Sequence, residues 1–217
     1  MKKAAFFDVD GTLVACQSQK KFSDFLFSEK ILGVFHILVI SCWFAGYRLG
    51  LLRSSIGMRR VFYRFLSFDS AERVNNLMIK AYQDLIRPAL NLFLKERILG
   101  LKKQGYLIVL LSGTLQQFCN LIADEFGADQ AFGTRLIVED GHFRGKWEGD
   151  ILEGEAKARF VKKYSKANDI SLEQSIAYSD SSADLPLLEI CGSSVAVNPD
   201  PALKTIAQSR SWEILNG

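Results

Sequence analysis

Six side chains, spread over most of the chain, have types that work together around a phosphate and a hard cation. Asp8 and Asp10 stand two residues apart behind the apolar run Ala4-Ala5-Phe6-Phe7. Ser112, followed by Gly113 and Thr114, ends a second apolar run, Leu107-Ile108-Val109-Leu110-Leu111. Lys157 lies in Gly154-Glu155-Ala156-Lys157, and Asp180 and Asp184 follow Ser175-Ile176-Ala177-Tyr178. Side chains two apart on a strand point the same way, so Asp8 and Asp10 leave the strand end together. A hydroxyl beside the N–H groups of a helix start can hold phosphate oxygens. Four gathered carboxylates would repel one another and a phosphate dianion. Mg²⁺, with octahedral oxygen ligands drawn from a few carboxylates, substrate phosphate and water, resolves that conflict. The cation also polarises a phosphoryl group, and a carboxylate next to phosphorus can then act as a nucleophile.

Each residue has an ordinary reading as well. Asp8 and Asp10 could line a solvated turn, and Ser112 or Thr114 could cap a helix. Lys157 could be a solvated helix lysine, and Asp184 a favourable acid at a helix start. Their combination decides for chemistry, because loops that follow parallel strands converge on one edge of an α/β sheet.

The elements that must position them are legible in outline. Residues 107–111 are apolar on both faces, as in a buried parallel strand. Further strands are expected at 4–7, near Ile176, near Val195 and, briefly, near Trp212. Helical patterns start near Leu115, run from Ala156 to Tyr164, and span Leu185 to Ile190. The polar, Gly-rich stretch Phe132 to Asp150 is read as a small hairpin excursion of the core. About 100 residues separate Asp10 from Ser112, against 45 between Ser112 and Lys157. The long gap is aromatic, apolar and helix-like. Residues 15–85 are therefore read as a helical cap inserted into a core made of 1–14 and 86–217, with Pro88 and a helix through Lys103 returning the chain.

In this order, DVDGTL, SGT, GEAKA and YSDSSADLPLLE resemble the haloacid dehalogenase superfamily of phosphatases across almost the whole chain. The stretches Gly133 to Leu136 and Asp140-Gly141, with AVNPDPAL (196–203) and Trp212, resemble its phosphoserine-phosphatase-like branch. That branch includes phosphoserine, histidinol-phosphate and phosphatidylglycerophosphate phosphatases. The resemblance implies an α/β fold with a Rossmann-like core, a parallel sheet and an inserted helical cap. It also implies a Mg²⁺-dependent phosphomonoesterase. Asp8 would be nucleophile and metal ligand. Asp10 would be general acid, then base, with its backbone carbonyl on the metal. Ser112 and the Gly113 amide would bind phosphate beside Lys157, Asp180 would be the third protein ligand of the metal, and Asp184 would support that shell. One position departs from the pattern. Phosphoserine phosphatases carry a Glu shortly after the first motif that meets the substrate's ammonium, and Gln17 stands at that place as a substrate-binding candidate. A neutral amide there favours esters without an α-amino group.

Composition narrows the setting. The chain has 217 residues and a net charge of +3, enough for one good core with an appendage and too little charge to indicate nucleic acid. Its four cysteines, Cys16, Cys42, Cys119 and Cys191, form no Cys-x-x-Cys pair, which fits a cytoplasmic, reducing setting. Only Ala4 to Phe7 separates Lys3 from Asp8, too short an apolar run for a signal peptide. Residues 31–47 hold no Asp, Glu, Lys or Arg, and 17 residues is the lower limit for a membrane span. From Lys30 to Phe68 there are six basic residues and no acid. A single crossing would leave Asp8 on one side of a bilayer and Ser112, Lys157 and Asp180 on the other. Two expectations survive for this stretch. It is a buried cap helix, or a helix or shallow hairpin lying in the interface of an anionic membrane, with His36 a core or interfacial residue and not a ligand. The second brings a lipid-linked phosphate, such as phosphatidylglycerophosphate, into view as substrate. The first brings a small soluble metabolite, of histidinol-phosphate or phosphoserine type. Two rival classes fit the motifs less well. A phospho-acceptor receiver domain needs an Asp after the strand 107–111, where Ser112 stands. A catalytically silent membrane-binding module would have lost a motif, and all four are present.

Overall fold

The computed structural model describes residues 1–33, 38, 42 and 56–217. They divide into two compact units: Met1–Ser18, Ile86–Thr134 and Asp150–Gly217 in one, Gln19–Leu85 and Arg135–Gly149 in the other.

The first unit is built on a parallel sheet. Its strands are β1 (Lys3–Asp8), β2 (Tyr106–Leu115), β3 (Gln130–Thr134), β6 (Ile176–Ser179), β7 (Ser193–Val197) and β8 (Glu213–Leu215). Their order is β3-β2-β1-β6-β7-β8, every pair parallel. The chain moves from β1 outward to β2 and β3, then returns to the other side of β1 for β6, β7 and β8. That reversal makes a topological switch at β1, the place where α/β sheets open a crevice at their carboxyl ends. Register carries the point to atoms: Asp8 pairs with Leu111, and Phe7 pairs with Leu110 on one side and Tyr178 on the other. Phe7, Leu110 and Tyr178 are therefore level, so β1 and β6 end together and β2 runs on beyond them.

The apolar runs form strands because both faces are covered. Helices α4 (Phe93–Lys103), α5 (Gln116–Phe126), α6 (Gly154–Ala167), α7 (Leu185–Ile190) and α8 (Pro201–Ser209) supply the cover. Ala4, Phe6, Val109 and Leu111 pack with Val161, Leu187, Leu188 and Leu203 in one cluster. Phe7 stacks on Tyr178 with centroids 4.1 Å apart. Two details differ from the sequence reading. Strand β2 continues through Ser112, Gly113 and Thr114 to Leu115, and Gln130–Thr134 is a further strand of the sheet rather than part of a loop excursion.

The second unit contains most of α1 (Ser18–Ser28), α2 (Ile56–Phe65), α3 (Ala71–Ala81), and a ribbon of β4 (Leu136–Glu139) and β5 (His142–Trp147). The sequence reading placed residues 135–149 in the core body; contacts instead group them with Gln19–Leu85. The reason is close packing of β5 on α2: a Cβ on Gly145 would sit 2.9 Å from the Arg64 Cα. Tyr63 meets Trp147 edge to face at 5.6 Å, and the Ala71 N–H donates to the Gly141 carbonyl at 2.7 Å. Ser70 caps α3 by accepting from the Arg73 N–H. Apart from residues 31–33, 38 and 42, the apolar stretch 31–47 and His36 lie outside the described residues. Among the described residues, no helix is long and apolar enough to cross a membrane. All four cysteines are free thiols.

Candidate active site

Burial decides between the competing readings of each motif. Lys157, on the first turn of α6, is 3% exposed, so it is no solvated helix lysine. Its Nζ donates to Asp8 Oδ1 at 2.7 Å and to Asp184 Oδ2 at 2.5 Å. Asp184 also accepts from the Ser179 hydroxyl at 2.9 Å. Although it stands at the N-cap of α7, its side chain caps nothing there. Residues 149 and 27 positions from Lys157 thus meet on one ammonium.

Asp180 lies on the loop after β6. It accepts from the Thr12 hydroxyl at 3.1 Å, and its charge adds to the rise in the Asp8 pKa. Gly11 is required beside it. Its φ is +91°, and an added Cβ would fall 2.1 Å from Asp180 Oδ2. The backbone carrying Asp10 therefore presses on the carboxylate of Asp180. Asp10 itself turns elsewhere: its Oδ1 accepts from the Ser18 N–H at 3.0 Å.

Neither hydroxyl of the second motif caps α5. The N-cap is Leu115 and contributes no side-chain bond. Ser112 is 3% exposed, one residue past the level of Asp8, and its oxygen accepts from the Thr114 N–H at 3.1 Å. The Gly113 carbonyl accepts from Thr134 Oγ1 at 2.8 Å, which holds that peptide in place. Gln17 is exposed and lies one residue before α1.

Electrostatics show what the cluster lacks. Burial pushes the Asp8 carboxyl well above the usual carboxylate range, with Asp184 and Asp180 adding to the rise and Lys157 opposing it. Burial likewise raises Asp180. For Lys157, burial favours the neutral amine, but Asp8 and Asp184 outweigh it and raise its pKa. One ammonium serves two of these three acids. Among the described residues, no three His, Cys, Asp or Glu side chains form a metal cage. Two facing carboxylates short of positive charge do fit Mg²⁺, which commonly binds through one or two carboxylates and takes its other ligands from water and substrate.

Several supporting residues escaped the sequence reading. Asn91 Nδ2 donates to the Thr12 carbonyl at 2.6 Å and steadies the loop after β1. Asp200 Oδ2 accepts from the Ser182 N–H at 2.8 Å and hydroxyl at 3.0 Å, and the Asp200 N–H donates to the Asp180 carbonyl at 2.8 Å. Burial would raise Asp200, but N–H groups of Leu203, Ser182 and Ala202 and the Ser182 hydroxyl hold it below the usual range. An Asp followed by Pro at a helix start is a readable cap signal; its grip on the fourth motif is not.

Comparison with known proteins agrees with this geometry. A probable phosphatase of Mycobacterium tuberculosis is 31% identical over 99% of this chain and 75% of its own length. A phosphoserine phosphatase of the same organism is 31% identical over 97% of this chain and 70% of its own. In structure, a Bordetella pertussis protein of unknown function superposes with a TM-score of 0.89 at 27% identity, covering 99% and 98% of the two chains. A phosphoserine phosphatase solved as an analogue of its phospho-aspartyl intermediate gives 0.72 at 26% identity, covering 99% and 93%. Residues 5–189 match the haloacid dehalogenase-like hydrolase family as a whole. With the motifs in order and their side chains gathered at the switch point of the sheet, this chain belongs to the haloacid dehalogenase-like hydrolases, on the phosphoserine-phosphatase-like branch.

Proposed function

We propose that this protein is a Mg²⁺-dependent phosphomonoester hydrolase working through an aspartyl-phosphate on Asp8. The observation that carries the reading is the buried Lys157 ammonium shared by Asp8 and Asp184, which holds one Asp8 oxygen and leaves the other for reaction. Asp8 attacks phosphorus, the ester P–O bond breaks, and Asp10 gives its proton to the departing alkoxide. Asp10 then takes a proton from water, whose oxygen attacks phosphorus and releases Asp8 and inorganic phosphate. The Ser112 hydroxyl and the Gly113 amide donate to phosphoryl oxygens. Asp8, Asp180 and the Asp10 carbonyl are the proposed Mg²⁺ ligands. The bound ion supplies the missing positive charge and polarises the phosphoryl group.

Two substrate classes draw support from different observations. Relatives named phosphoserine phosphatase favour a small soluble ester. The uncharged stretch 31–47 and the arginines at 48, 53, 59, 60 and 64 favour a lipid-borne phosphate at an anionic membrane. Each basic residue near such a surface contributes about 1 kcal/mol. A Mg²⁺ assay over phosphoserine, histidinol phosphate, sugar phosphates and phosphatidylglycerophosphate, paired with co-sedimentation on anionic and neutral vesicles, separates them. The lipid class predicts anionic-selective binding that falls when Arg59, Arg60 and Arg64 become Gln. Equal, negligible binding with full turnover of soluble esters assigns the soluble class. No turnover of any ester would overturn the phosphatase reading.

A further inference from the structure

Ser18 and Thr114 have no place in the mechanism above, yet both are buried, at 0% and 1% exposure. Their hydroxyl oxygens lie 2.6 Å apart across 96 residues of sequence. Each is tied through its own backbone to a group assigned a chemical role. The Ser18 N–H donates to Asp10 Oδ1 at 3.0 Å, and the Thr114 N–H donates to Ser112 Oγ at 3.1 Å. The sequence Asp10, Ser18, Thr114, Ser112 is thus one hydrogen-bonded chain joining the carboxyl that moves the proton to the hydroxyl that holds the phosphate.

Ser18 is the first residue of α1, and N–H groups in a first turn have no partner inside their own helix. Where such an N–H points depends on what anchors the helix start. Here the anchor is the hydroxyl pair, and removing either member leaves a buried hydroxyl without its partner. We propose that Ser18 and Thr114 are positioning residues for proton transfer: their hydroxyl pair aims the Ser18 N–H at Asp10 and so fixes the carboxyl against the leaving oxygen of the ester. This rests on the phosphatase reading and adds to it a pair outside the four motifs' assigned roles.

The test uses the dependence of rate on leaving group. An alkyl alkoxide needs a proton as it departs, whereas p-nitrophenolate hardly does. Asp10 also serves as base in the hydrolysis common to both esters, so the comparison is made in kcat/KM, which ends at P–O cleavage. There a defect in the aim of Asp10 must slow alkyl esters selectively, and a general loss of structure must slow both. Wild type, Ser18→Ala, Thr114→Val, the double variant and Thr114→Ser are compared with Mg²⁺ on p-nitrophenyl phosphate and on a simple alkyl phosphate. General acid catalysis contributes ~10²–10⁴-fold in total, and misaiming the acid should forfeit ~10-fold of that in the alkyl kcat/KM. The p-nitrophenyl kcat/KM should change little. The double variant should be no worse than the poorer single one, Thr114→Ser should keep the wild-type ratio of the two rates, and in an Asp10→Asn background Ser18→Ala should not change that ratio. Thermal melting identifies any variant that fails to fold, and the remaining single variant then carries the same prediction. Equal losses of kcat/KM on both esters, or no loss on either, would overturn the positioning role with the phosphatase reading intact. A wild type inactive on every ester would overturn both.

Discussion

At the scale of single residues, Asp8 illustrates a conflict between stability and chemistry. Its carboxyl is raised by burial and by two neighbouring acids, against the pull of Lys157. A folded-state pKa above the unfolded value means that ionisation opposes folding. The contribution is favourable below the unfolded pKa and is lost as pH rises through the folded one. Asp8→Asn keeps size and an acceptor for Lys157 while removing the charge. In metal-free buffer its melting temperature should match or exceed that of wild type, and the gap in its favour should open as pH rises from about 4. Its phosphatase activity should nearly vanish. Melting curves across pH, with an assay beside them, check both halves; a variant that kept a substantial share of wild-type activity would exclude the covalent route.

At the scale of elements, the loops at the strand ends are held by residues that do no chemistry. Asp200 caps α8 through Leu203 and grips the loop carrying Asp180 through Ser182. Loss of a capping acid destabilises by about 0.5–2 kcal/mol, typically near 1. For a chain of this size that corresponds to a drop of roughly 2–4 °C in melting temperature per kcal/mol. Because the Asp200 pKa is lowered on folding, its contribution is present above the unfolded value and is lost as pH falls through the folded one. Asp200→Ala should therefore melt lower than wild type at pH 7, and the difference should shrink in acid below about 4. A difference that stayed constant down to strong acid would assign the effect to packing instead of charge. Mg²⁺ affinity should fall in the same variant, since the lost Asp200 carboxylate holds Ser182, two residues after Asp180.

At the scale of the whole molecule, the site unites segments from both ends of the chain, so its ligand should report on global stability. A ligand that binds only the folded state at 100 times its dissociation constant stabilises by about 2.7 kcal/mol. Saturating Mg²⁺ should thus raise the melting temperature by several degrees, and Asp180→Asn should abolish most of that rise. Ca²⁺, which prefers more ligands at longer distances, should stabilise without supporting turnover. EDTA should remove both the stabilisation and the activity. Full turnover in metal-free buffer would exclude Asp180 as a ligand in the reaction.

What the amino-acid sequence determined by itself was the order of motifs, the α/β class, most strands and the identity of the residues that gather at the sheet edge. Those features are local: apolar runs, glycines that end them, and polar residues just beyond. The sequence could not show that Lys157 is buried between two acids, because a lysine near a helix start reads the same whether solvated or enclosed. Nor could it show that Ser112 and Thr114 stay in β2 and cap nothing: β2 pairs with β1 as far as Leu111 and with β3 again at Leu115, with an irregularity between. The ribbon at 135–149 joined the other unit because Gly145 admits α2 closely, a contact set by shape and not by local pattern. The side-chain hydrogen bonds that Thr12, Asn91, Ser18 and Asp200 make all join separate segments. Only the tertiary structure decides such pairs, since short-range propensity carries no information about which polar groups will be buried together.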